Sequence, residues 1–164
     1  MDSDRIAQDH VSVHEAGHIV MAWLMEVPVL AAELGVCGGQ VEFGSASVPF
    51  LLSLALESER RKLAKRLIRV AFAGRCAEQI FFGFSVGDKN SSDLLTAKKL
   101  GKIIGEPCDV PLIEEEVRAT LVAHRNAIGQ TAEVLKRKRK LSTNDLAIMQ
   151  KEFQRSKEAP CLAA

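Results

Sequence analysis

The run His14-Glu15-Ala16-Gly17-His18 is a complete H-E-x-x-H motif inside an apolar stretch with helical spacing. Two histidines four apart lie on one face of an α-helix, about one turn from each other. Both imidazoles can then reach one metal ion. Glu15 follows the first imidazole and can contact a water at that metal. Ala16 and Gly17 leave room beside it. This is the pattern of a zinc-dependent peptidase, in which zinc acidifies a water and the glutamate accepts its proton as general base. A catalytic zinc usually takes three protein ligands and keeps a fourth position open. The third must come from elsewhere in the chain. His10 shares the face of His14 but stands about 12 Å along the helix from His18. Zinc–nitrogen bonds of about 2.0–2.1 Å cannot span that row, so His10 is expected at the surface or behind the ligands. Glu78 is a rival third ligand; a hydrogen bond to a zinc-bound imidazole is its preferred role.

These residues need elements to position them. The spacing predicts a first helix over 4–27, ended by Pro28. Glycines alternating with Val36, Val41 and Phe43 predict a small sheet over 29–50, with a hairpin near Gly38-Gly39. A second helix is expected over 53–82. Its buried stripe is Leu56, Leu63, Leu67, Val70, Gly74, Ala77 and Phe81, with Gly74 allowing close helix packing. Helices follow over 91–104, 112–138 and 142–156, and a frayed tail over 159–164. The stripe of the 112–138 helix includes His124 as a core residue. Glu114-Glu115-Glu116 suits its first turn. Ser142 with Asp145 makes a capping box, and Leu141 with Leu146 a hydrophobic staple. The fold class is mainly α, in an α+β arrangement, as one domain over 1–158.

Composition narrows the partners. A net charge of +1 over 164 residues gives no global field for nucleic acid or membranes. Scarce aromatics, with no Tyr, argue against a base-stacking platform. Lys136 to Lys140 is a run of five basic residues, read as a solvated helix end rather than as an anionic-partner site. Cys37, Cys76, Cys108 and Cys161 form no C-x-x-C pair, so free thiols in a reducing, cytoplasmic setting are expected. Trp23 and Met25 are expected in the core. The longest apolar stretch is broken by Glu26, Pro28 and Glu33, so no membrane span is expected.

Three segments in order resemble the peptidase domain of the FtsH-type AAA metalloproteases. Val13 to Val20 resembles that family's zinc helix, and Ala73 to Gly83 its A/G-G-R-x-A-E-E-x-x-x-G helix. Asn90-Ser91-Ser92-Asp93-Leu94 resembles its S-N-D-L segment, and Glu115 to Leu146 its C-terminal helices. The resemblance implies one Zn2+ per chain held by His14, His18 and Asp93, with Glu15 catalytic. The expected position of Asp93, in the first turn of a helix, favours an anion there and equally suits a helix cap. The implied activity is a metalloendopeptidase acting on unfolded polypeptide, with substrate added as a strand along 36–48. A homo-oligomer, hexameric or smaller, is compatible with it.

The chain also departs from the family. It holds no G-x-x-x-x-G-K-[S/T] loop, so hydrolysis is expected to be ATP-independent unless an ATPase acts in trans. Gln79 replaces a glutamate, and Gly105 to Pro111 stands where the family has a longer G-M-S segment. The competing expectation is a non-catalytic metal-binding module that assembles with an ATPase or another subunit.

Overall fold

The chain places its longest apolar run in a helix that other elements surround. In a computed structural model, which describes residues 2–35, 38–44, 48–86 and 91–158, this is α1 (Asp2–Leu24). Ile19, Val20, Met21 and Ala22 are all fully buried, four consecutive residues that no one-sided helix could hide. α3 (Glu57–Phe82) packs on one side of α1, α6 (Arg125–Lys138) on another, and β1 (Val29–Leu34) and β2 (Gly39–Phe43) on a third. α4 (Ser92–Ile103) and α5 (Val110–Val122) lie against α3. β3 (Lys140–Leu141) and α7 (Thr143–Glu158) follow α6, and a short α2 (Val48–Ser53) precedes α3. The antiparallel sheet runs β2-β1-β3, so β2 is an edge. Its register pairs Leu34 with Gly39 and Val29 with Phe43, and β3 meets β1 at Ala32–Leu141. The mainly helical α+β class is as expected. No helix among the described residues is long and apolar enough to cross a membrane.

Several boundaries differ from the sequence reading. α1 ends at Leu24, not 27, because the Val27 N–H reaches back to the Ala22 carbonyl at 2.8 Å. Glu26 takes the left-handed conformation (φ 56°) that such a closure needs. Residues 48–53, expected partly as sheet, form α2. α3 starts only at Glu57, where the Arg60 guanidinium bonds the Leu54 carbonyl at 2.9 Å. Leu56 therefore precedes the helix and is exposed. Gly83, left-handed at φ 80°, closes α3 by donating to the Gln79 carbonyl.

The helix expected over 112–138 is two helices, α5 and α6, parted at Ala123-His124. α5 packs on α3 while α6 packs on α1, and one straight rod cannot serve both. His124 lies at the corner, edge-on to Phe153 with ring centroids 5.5 Å apart. α5 also starts earlier than expected, at Val110, capped by Asp109 with Pro111 in its first turn. Glu114 and Glu116 thus fall past the first turn and pair instead with Arg75 (3.0 Å) and Arg69 (2.9 Å) of α3.

Four of the five residues of the basic run make ion pairs or hydrogen bonds, and Arg137 is exposed. Lys136 reaches Asp9 on α1 at 2.8 Å, Lys138 reaches Asp145 at 2.5 Å, and Lys140 pairs with Glu33 at 3.1 Å. Arg139 is left-handed (φ 63°) and bonds the Gly35 carbonyl. The last two residues of that run turn out of α6, and Lys140 joins β3. Ser142 and Asp145 form the expected reciprocal box, backbone N–H to side chain in both directions. Leu141 and Leu146 are both buried, as is Trp23. Cys76 and Cys108 are free thiols, and burial pushes the Cys76 thiol up to about 12. Val36, Cys37, Cys161 and the tail 159–164 lie outside the described residues, as does part of the segment 36–48.

Candidate metal centre

Small residues let α1 and α3 touch backbone to backbone at the motif. A Cβ on Gly17 would stand 2.6 Å from the Ala77 Cβ and 2.7 Å from the Ala73 carbonyl oxygen. That close crossing brings His14 and His18 against α3. The Nδ1–H of His18 donates to the Val70 carbonyl at 2.7 Å, and the Nδ1–H of His14 donates to Glu78 Oε1 at 2.5 Å. A carbonyl only accepts, and Glu78 is held ionised. Burial works against that charge, but the hydrogen bonds from His14 and from the Val86 N–H outweigh it. Each ring therefore carries its hydrogen on Nδ1 and presents Nε2 inward.

The two Nε2 atoms stand 3.0 Å apart, and Asp93 Oδ2 lies 3.2 Å from His14 Nε2 and 3.4 Å from His18 Nε2. Asp93 occupies the first turn of α4, as expected, but it does not cap the helix. Ser91 does, accepting from the Leu94 N–H at 3.4 Å. The Asp93 carboxylate is free to face the imidazoles. These three side chains form the group among the described residues that could hold a metal ion. Zinc bonds of about 2.0–2.2 Å at tetrahedral angles would set ligand atoms roughly 3.3–3.5 Å apart, close to the triangle seen. Three acceptors converge with no donor between neutral rings, an arrangement that a shared cation relieves. A proton is the smallest such cation. Burial opposes charge on His14, yet its bonds to Asp93 and Glu78 and the charge of Glu15 carry its pKa up to about 10. Burial opposes the charge of Asp93, but its contacts with His14 and His18 hold its carboxyl well below the usual carboxylate range.

Glu15 is buried, and its carboxyl pKa is raised by burial more than the neighbouring imidazoles lower it. It lines one cleft of about 360 Å³ with His14, His18 and Asp93. The edge strand closes over it: a Cβ on Gly39 would stand 2.5 Å from the Glu15 Cγ. Val41 and Phe43 of β2, Leu67 and Val70 of α3 and Leu100 of α4 supply apolar walls.

His14, Glu15, His18 and Asp93 are thus brought together. Glu78 sits behind His14, and His10 is buried behind Glu78, 3.9 Å from its Oε2, rather than at the surface. The Val70 carbonyl, the Ser91 cap and the close approach of Gly39 escaped the sequence reading. A backbone carbonyl carries no residue signature. Ser91 had a legible one, a serine three residues before the buried Leu94. No family model and no curated protein matches the chain.

Proposed function

We propose that this chain is a zinc-dependent endopeptidase acting on unfolded polypeptide. One observation carries the reading: the Nε2 atoms of His14 and His18 and the carboxylate of Asp93 converge within 3.0–3.4 Å, in the same cleft as a buried glutamate. The resemblance of the three sequence segments to the FtsH-type peptidase domain points the same way.

His14, His18 and Asp93 would hold the ion, and zinc so held supplies Lewis acidity toward a water and a peptide carbonyl. The remaining work falls to this chain's side chains. Glu15 takes the proton of the attacking water and returns it to the leaving amine; a carboxyl whose pKa is raised by burial suits both transfers. Gly39 leaves the space that Glu15 occupies. Val70 and Glu78 fix the rings so that their lone pairs do not have to be reoriented at each turnover. β2 offers its outer edge to an extended peptide, whose apolar side chains fit the walls formed by Leu67, Val70 and Leu100.

The test compares wild type with Glu15→Gln on casein, with zinc content measured in both. Wild type is expected to cleave, and the variant to keep its zinc and lose roughly a hundredfold or more in rate. Equal cleavage by the two would overturn the catalytic assignment. Zinc binding without cleavage by wild type would leave a metal-binding module.

A further inference from the structure

We propose that His10 is a positioning residue of the metal centre, acting on His14 through the carboxylate of Glu78. This inference rests on the metal-site reading above. His10 lies one turn before His14 on α1 and is only 7% exposed. Its ring stacks on Phe82, with centroids 3.8 Å apart and planes 25° from parallel, and Phe84 lies across it at 5.1 Å. These two rings pack on the imidazole, whose Nδ1 lies 3.9 Å from Glu78 Oε2. Nδ1 has no hydrogen-bond partner among the described residues.

An apolar ring would fill the same slot without burying an unpaired nitrogen. The imidazole is therefore explained by the carboxylate in front of it. Glu78 Oε1 accepts from His14 Nδ1 at 2.5 Å, and its Oε2 accepts from the Val86 N–H at 2.6 Å. Among the described residues no second donor bonds Oε2, and the terminal torsion of a glutamate is soft enough to bring it toward Nδ1–H. With that donor, Glu78 is held from α1 as well as from the segment after α3. The carboxylate then keeps the His14 ring turned with Nε2 toward His18 and Asp93. Without it, the Val86 N–H is the one described donor besides His14 itself that orients the carboxylate.

The experiment measures Zn2+ affinity of the full chain by chelator competition, and the visible spectrum of its Co2+ form. His10→Phe keeps the stacked ring and removes the nitrogen. His10→Asn keeps a polar atom near the Nδ1 position and removes the ring. Loss of a direct partner of a metal-bound imidazole typically costs 10–100-fold in affinity, so His10→Phe, one contact further out, is expected to cost about 3- to 10-fold and to shift the Co2+ bands. His10→Asn is expected to recover part of that affinity even where its melting temperature is lower. In a Glu78→Gln background, His10→Phe should cost nothing further. Wild-type affinity in His10→Phe, or costs that add in the double variant, would overturn the inference and leave the metal site standing. A wild-type chain that binds no Zn2+ would remove both.

Discussion

Gly74 lies flat against the His14 imidazole: a Cβ built on it would stand 2.5 Å from Nε2 and 2.6 Å from both neighbouring ring carbons. Helix α3 thus uses a missing side chain to set the depth of the first histidine. Gly74→Ala is expected to push the ring out of line, costing about 1–3 kcal/mol of stability through overpacking and roughly tenfold or more in Zn2+ affinity. Gly129→Ala is the control. Its Cβ would meet only the Phe81 ring at 3.7 Å, ordinary contact. In a helix interior that change should stabilise by about 0.5–1 kcal/mol. Chemical denaturation and metal titration of the two variants check the contrast.

Asp93 and Ser91 are two residues apart and do different work. Asp93→Asn keeps the shape of the side chain and removes its charge. It should abolish retention of Zn2+ through dialysis while leaving the melting curve of the metal-free chain cooperative. Ser91→Ala removes the cap and should cost about 1 kcal/mol of stability, with zinc stoichiometry unchanged. A zinc-replete Asp93→Asn protein would exclude Asp93 as a ligand.

The pH dependence follows from the direction of each shift. His14, raised from 6.5 to about 10, stabilises the metal-free fold fully below pH 6.5, and that contribution fades as pH rises toward 10. Glu15, also raised, works in the same direction from about its ordinary 4.5 upward. Asp93 and Glu78 are lowered. Their contributions are present above 3.8 and 4.5 and are lost as pH falls through their folded values. The metal-free chain should therefore lose stability between pH 7 and 9. Zn2+ must displace the His14 proton, so its affinity should rise about tenfold per pH unit over that range. Melting curves with and without saturating Zn2+ test this, since bound metal should flatten the His14 part of the slope.

Lys136 joins α6 to α1 through Asp9 and also contacts Glu133 at 2.7 Å. Both acids are more than a third exposed, so screening keeps each pair weak. Lys136→Ala and Asp9→Ala should each cost less than about 1 kcal/mol, and the double variant less than their sum. Strict additivity in denaturant melts would show that the pair is not coupled.

How much of this was legible beforehand differs from residue to residue. The relation of His14 to His18, with Glu15 beside it, is a property of one helix, because spacing along the chain sets angle and rise there. The reciprocal Ser142–Asp145 box and the glycine stop after α3 are equally local, since each joins neighbours through their own backbone. Sequence alone also decided that these helices would be apolar on the faces they bury. It could not decide where one long apolar stripe would break. The parting at Ala123-His124 arises because the two halves pack on different helices, and nothing at those two residues forbids a continuous helix. Nor could it bring Asp93 to the imidazoles across 79 residues, or set the Val70 carbonyl behind His18 across 52. Those meetings depend on how closely α1, α3 and α4 approach. At the α1–α3 crossing that distance is set by small residues such as Gly17 and Gly74; the sequence marks Gly74 as a close-packing position, but which side chains it would meet is a collective outcome of packing.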